Sequence, residues 1–274
     1  MIPALADTAG IPGETMASGV TVIPVLDVAG AAGGRLARRL VRVPPAAAYA
    51  GTAGPAGELW FVTSGRGSLE AGGGVVPVGP EHGIAVPPGA AYRLTADPAP
   101  AHPGVLTIDA VRLPGPPADA GADAGAGAGG ARVTDLRDCA AEVTGDREFR
   151  VLFGPGTGYP AATQFVGEIP PGRAPDHRHT YDEVVLVLAG EGVVHLVADE
   201  PDGEVALALA GQDAGPRPAR PAVGAAAYPL RPGSCLHLPP GQRHCLENTG
   251  TAMLRVLGVF HPGGSPAAKQ PAPG

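Results

Sequence analysis

Short apolar runs, each broken off by glycine or proline, make up most of this chain. Glu58-Leu-Trp-Phe-Val-Thr-Ser-Gly65 and Glu183-Val-Val-Leu-Val-Leu-Ala-Gly190 are the clearest: an acid, a run rich in branched or aromatic residues, a glycine stop. Runs of that length with a glycine stop suit strands rather than helices, which need ten or more residues. Thr21-Val-Ile-Pro-Val-Leu26, Phe149-Arg-Val-Leu-Phe153, Thr163-Gln-Phe-Val-Gly-Glu-Ile169 and Met253-Leu-Arg-Val-Leu-Gly-Val-Phe260 read the same way. Arg35-Leu-Ala-Arg-Arg-Leu-Val-Arg-Val43 alternates imperfectly; a helix also suits it, but a strand ending at Pro44-Pro45 agrees better with the rest. Its arginines read as a solvated face rather than an anion site. Pro-Pro-Gly at 87–89 and again at 239–241 predicts tight turns, with proline presetting φ and glycine permitting positive φ. The pattern predicts an all-β chain.

The runs also repeat. Glutamate, six residues, glycine, one residue, glycine occurs at 58–67 and at 183–192, an offset of 125. Pro87-Pro-Gly-Ala-Ala-Tyr92 matches Pro239-Pro-Gly-Gln-Arg-His244, now offset by 152. The chain therefore carries an internal duplication, and its later copy holds an insertion within 199–227. Residues 114–131, almost entirely glycine, alanine, proline and aspartate, cannot bury a core and read as a flexible linker. The expected divisions are an N-terminal arm at 1–20, a first domain at 21–113, the linker, a second domain at 132–262 and a mobile tail at 263–274.

Candidate chemistry lies in the second copy. His177, His179 and Glu183 precede the apolar run and share odd parity, so an extended strand sets them on one side. A buried carboxylate beside two imidazoles is costly unless it is paired or holds a metal. His244 opens the strand that returns from the second Pro-Pro-Gly turn. Three nitrogens and one oxygen suit a divalent transition ion better than calcium or magnesium. A lone histidine in a strand is ordinarily a satisfied polar residue; four ligand types at matched spacing reverse that expectation.

At these residues the chain resembles the cupin superfamily. Gly172, His177, His179, Glu183 and Gly190 match its first motif, with a gap one residue shorter than usual after Gly172. Gly233, Pro239, Gly241, His244 and Asn248 match its second without deviation. The resemblance implies a bicupin: two tandem small antiparallel β-barrels, one divalent metal per chain in the mouth of the second, and His177, His179, Glu183 and His244 as ligands. Iron or manganese leads, with nickel, zinc or copper as alternatives. Four protein ligands on an octahedral ion would leave two positions for water, substrate or dioxygen.

In the first copy, counting back from Glu58 puts Thr52 and Gly54 at the histidine positions, and Tyr92 replaces the last ligand. That barrel reads as structural, with Trp60 filling the vacated volume. The alternative is an organic ligand held without metal by Tyr92 and Trp60. His82 and His102 fall at no ligand position.

Net charge is -7 with no basic stripe, which disfavours a nucleic-acid partner. Cys139, Cys235 and Cys245 are odd in number and lack CxxC spacing, which argues for a reducing compartment, and Cys245 reads as a plain buried thiol. No segment reaches the ~18 uninterrupted apolar residues of a membrane span, and the N-terminus lacks a signal pattern, so the expected location is cytoplasmic. The expected partner is a small molecule; the resemblance also allows a homodimer.

The cupin resemblance permits dioxygenases, oxidative decarboxylases, isomerases, lyases and hydrolases, and fold does not choose among them. The leading expectation is a dioxygenase-type oxidoreductase, with Glu183 and Tyr181 as candidate catalytic groups. An isomerase or lyase acting on a small carbonyl or sugar-like compound comes next, then a non-enzymatic ligand-binding protein. Gln164, Glu168, His195 and His237 are further candidates for the cavity wall, and Arg217 and Arg220 for a lid over its mouth.

Overall fold

The structure is a computed structural model of one chain. It describes residues 3–30, 34–98, 104–115, 130–198, 204–205, 207–210, 217–218 and 222–267. Among these residues the regular structure is β-strand, with three short 3-10 turns and no α-helix. The chain divides into two compact units, Pro12–Cys139 and Met1–Ile11 with Ala140–Gly274.

Each unit pairs a larger sheet with a four-stranded one. In the first, Glu58–Ser64 lies between His82–Val86 and Leu106–Arg112; in the second, Asp182–Ala189 lies between Ser234–Leu238 and Leu254–His261. The smaller sheets correspond as well: Ala91–Ala96 stands between Ala48–Thr52 and Gly67–Ala71, as Arg243–Asn248 stands between Gly172–Arg173 and Gly192–Val197. The duplication read in the sequence is thus a duplication of topology. Gly89 and Gly241, closing the two proline turns, have φ of 64° and 82°, the left-handed region that favours glycine. The extra length of the second copy falls between Val197 and Ala225, where the first copy needs only Gly72-Gly73 to join paired strands.

Alternation builds each interior. Trp60, Val62, Ile84, Ile108 and Ala110 are fully buried in one core, and Val185, Val187, Leu196, Leu236, Leu238 and Leu254 are buried in the other. The strand Arg35–Val43 alternates imperfectly because it is covered on both faces. Its Leu36 and Arg38 are buried as fully as Val41 and Val43. Arg38 donates to both oxygens of Asp109 at 2.8 and 2.9 Å, and Arg39 reaches Glu58, so the expectation of a solvated arginine face is corrected for these two, while Arg35 and Arg42 are exposed. Leu36, Val41 and Val43 exclude water from the middle of this strand, and the guanidinium groups of Arg38 and Arg39 are satisfied by carboxylates instead.

Two segments depart from the expected divisions. Ala4–Asp7, expected in a loose arm, is a strand of the second unit, antiparallel to Ser234–Leu238 and parallel to Ala208–Ala210. Ala4 and Ala6 are buried, Asp7 pairs with Arg231, and Thr8 N–H donates to the Gly233 carbonyl. Arg132–Asp135, expected to lead into the second domain, pairs with His82–Ala85 of the first unit. The linker lies mostly outside the described residues, as do residues 268–274 of the tail, His102 and Arg220. In the insertion the described stretches are short strand pairs rather than open loop: Glu204–Val205 with Ala222–Val223, and Ala208–Ala210 with Arg217–Pro218.

Candidate metal centre

His177 and His179 precede the strand Asp182–Ala189, and His244 lies near the start of Arg243–Asn248. An isolated antiparallel bridge joins the two segments, with His177 N–H to the His244 carbonyl and His244 N–H to the His177 carbonyl, both 2.9 Å. Gly241 N–H donates to the His179 carbonyl at 2.8 Å, which ties the proline turn to the same place. The nitrogens of His177, His179 and His244 converge within 4.8 Å of one another. Glu183 stands beside them, its Oε2 3.5 Å from His179 Nε2. All four expected ligands are brought together, with the carboxylate at the edge of the histidine cluster.

Burial decides the protonation here. Desolvation, then the neighbouring imidazoles, holds His179 down at about 2, and burial followed by His177 holds His244 at about 3. Both therefore present lone pairs at neutral pH. The Nδ1–H of His244 donates to the Gln242 carbonyl at 2.8 Å, leaving Nε2 free to donate its pair to an ion. His179 Nδ1 is buried with no hydrogen-bond partner among the described residues. Burial lifts the Glu183 carboxyl to about 7. Neutral imidazoles beside a carboxylate that lacks its own cation are a donor set that fits a divalent transition ion.

Tyr181 is stacked between two rings, 4.5 Å from His179 and 4.1 Å from Phe260. Burial, then Glu183, pushes its hydroxyl above the ordinary range. With the histidines and Glu183 it lines a cavity of about 440 Å³. Of the other candidates Glu168 lines this cavity; Gln164, His195 and His237 do not. His237 instead meets Asp182 at 3.0 Å, on the opposite face of the strand from Glu183, and His195 meets Glu247 at 2.6 Å. Cys245 is buried, with the Arg173 Nε 3.3 Å from its sulfur. Sequence reasoning missed Arg147, Phe149 and Phe165 in the wall. They reach it through sheet register, which spacing along the chain does not reveal.

The first unit fills the same place with its own side chains. Glu58, fully buried, accepts from Arg39 at 2.6 Å, Trp60 Nε1 at 2.7 Å, and Arg112 and Gly54 N–H at 3.3 Å each. Tyr92 packs edge-on against Trp60 with ring centroids 4.7 Å apart. Tyr92 pairs with Gly51 as His244 pairs with His177, so the counterpart of His177 is Gly51 rather than Thr52. Gly54, whose carbonyl accepts from Gly89 N–H, is the counterpart of His179. A Cβ on Gly51 would lie 2.6 Å from Tyr92 Oη, and one on Gly54 2.8 Å from Arg112 Cγ. Two guanidinium groups here supply the positive charge that the carboxylate requires.

Tandem barrels of this topology are the cupin fold, and the chain has the bicupin form of it. No protein-family model matches the sequence, and no curated protein matches it either. Among solved structures it is similar to a putative glyoxylate-induced protein from Pseudomonas aeruginosa, at 16% identity over 94% of this chain and 88% of that one, with a TM-score of 0.68. It is similar to Bacillus subtilis oxalate decarboxylase, an enzyme with Mn(II) centres, at 11% identity over 97% of this chain and 78% of that one, TM-score 0.68. A cupin 2 conserved barrel domain protein from Leptotrichia buccalis is 12% identical over 90% of this chain and 91% of that one, TM-score 0.54.

Proposed function

We propose that the protein is a metal-dependent bicupin enzyme that transforms a small organic molecule in the second barrel. His177, His179, His244 and Glu183 would hold one divalent transition ion, iron or manganese first. The observation that carries this reading is the convergence of three imidazoles, those of His179 and His244 buried, on one point beside a buried carboxylate. A bound ion would supply Lewis acidity and a meeting point for substrate oxygen donors and, in the oxidoreductase form of the reading, dioxygen.

The chain's own residues do the rest. The bridge between His177 and His244 fixes two imidazoles through backbone hydrogen bonds, so the donor set is preorganised. Glu183 lines the cavity beside His179 and would accept a substrate proton there. Tyr181 stacks on the His179 ring and lines the same space.

Dioxygenase-type oxidation is the first reading of the reaction. A lyase reading, with carbon–carbon cleavage of a small acid, is favoured by the likeness to oxalate decarboxylase. Protein purified without added metal tests both. About one equivalent of iron or manganese, lost in His244→Ala and depleted in Glu183→Gln, supports the centre, and two equivalents would refute an empty first barrel. Oxygen uptake during turnover then separates oxidation from lysis.

A further inference from the structure

We infer that the cavity takes a ring-bearing monocarboxylate, with its aromatic body against Phe149 and Phe165 and its acidic end between Arg147 and the histidine cluster. This rests on the metal-centre reading above and extends it to the class of substrate. A row of rings runs through this wall. Phe149 meets Phe165 at 6.5 Å, Phe165 meets Phe260 at 6.0 Å, Phe260 meets Tyr181 at 4.1 Å, and Tyr181 meets His179 at 4.5 Å. Four of the five line the cavity, and Phe260 is buried behind them. Phe165 is held by a specific absence: it pairs in register with Gly258, and any Cβ there would collide with its ring.

Ile169, Val185, Leu238, Leu246 and Val256 complete an apolar surface. At about 440 Å³ the space suits a ligand well beyond a two- or three-carbon acid, which would leave most of that surface facing water.

The charges of the wall select the other end. Glu148 is matched by Arg150 at 2.7 Å, Glu168 by Arg255 at 3.2 Å and Asp176 by Arg173 at 3.1 Å. Of the two remaining acids of the wall, Asp146 is exposed to solvent and Glu183 belongs to the metal centre. Arg147 differs from the other arginines. It is half-buried and donates to the Leu246 carbonyl at 2.7 Å, with no carboxylate at ion-pair distance among the described residues. Leu246 is two residues from His244, so this guanidinium stands beside the strand that carries a ligand. One cation calls for one anionic group, and guanidinium is suited to a carboxylate.

Calorimetric titration with 2-hydroxy-2-phenylacetate, 2-hydroxyacetate and 2-hydroxy-2-phenylacetamide tests this, on metal-loaded and metal-free protein. The phenyl acid should bind at least tenfold more tightly than 2-hydroxyacetate, and Phe165→Ala should shrink that ratio below threefold with metal content unchanged. Arg147→Gln should weaken the phenyl acid at least tenfold and the amide by less than threefold. Phe149→Leu replaces Phe165→Ala should the latter fail to fold. Equal affinity for the two acids, no binding of either, or equal loss of acid and amide in Arg147→Gln overturns the inference. Absence of metal from the purified protein would instead refute the centre, and the phenyl preference remains measurable without the ion.

Discussion

Arg39 donates to Glu58 at 2.6 Å inside the first barrel, at the place where the second barrel sets Glu183 beside three histidines. Glu58 is fully buried, and the Arg39 side chain retains 14% exposure. A buried carboxylate deprived of its nearest cation keeps its desolvation penalty without the compensating charge.

Arg39→Ala is therefore expected to destabilise the first unit by about 3 kcal/mol, read as a shift in the urea midpoint. The double variant Arg39→Met with Glu58→Leu, which removes both charges, should recover most of that loss. A double variant less stable than the single one would contradict the account. Metal content should be the same in all three.

The strand Ala4–Asp7 predicts a distant effect on the second unit. Ala6 is 1% exposed and lies between two neighbouring strands. Proline cannot join a central ladder, so Ala6→Pro should lower stability by about 2 kcal/mol. Hydrogen exchange should then show Ser234–Leu238 losing protection, while the sheet around Glu58–Ser64 stays protected.

Acid should destabilise the metal-free protein. His179 and His244 titrate well below the ordinary imidazole value of 6.5 in the fold, so their contribution is lost as pH falls below about 6.5. Glu183 is raised from 4.5 to about 7, so its contribution is present at low pH and lost as pH rises through that range. Two imidazoles outweigh one carboxyl between these limits, and unfolding takes up about one net proton. The expected loss is about 1.4 kcal/mol per pH unit on going from pH 6.5 to 5, measured by urea denaturation after chelation. A midpoint unchanged over that interval would contradict it.

Tyr181→Phe keeps both stacking partners and removes only the hydroxyl. Metal content and unfolding midpoint should match the parent. If the hydroxyl exchanges a proton with substrate, kcat should fall roughly a hundredfold, whereas an unaltered kcat would confine Tyr181 to packing.

Much of this was legible in the sequence because it is written locally. His177, His179 and Glu183 lie within seven residues of one another and the Pro-Pro-Gly turn delivers His244, but the two histidines precede the strand in which parity was read, and the bridge from His177 to His244 sets their place. Repetition of the glutamate–glycine spacing showed the second copy of the topology. What stayed hidden depends on register between strands far apart in the chain. Arg39 was read as solvated because nothing near it in sequence names Glu58 as its partner. Phe165 over Gly258 and Arg147 beside Leu246 are pairings of the same kind. The strand Ala4–Asp7 was missed because its sequence is short and alanine-rich, and its stability comes from the edges it joins.

That strand has a consequence for biosynthesis. Ala4 is registered against His237, so this strand waits for a partner made more than two hundred residues later. At ordinary elongation rates this delay is roughly 10 to 50 seconds. Pro12–Cys139 contains all its own strands and is free to fold during that interval, whereas the unit that carries the histidine cluster cannot close until Ser234–Leu238 has been made and Ala4–Asp7 joins it.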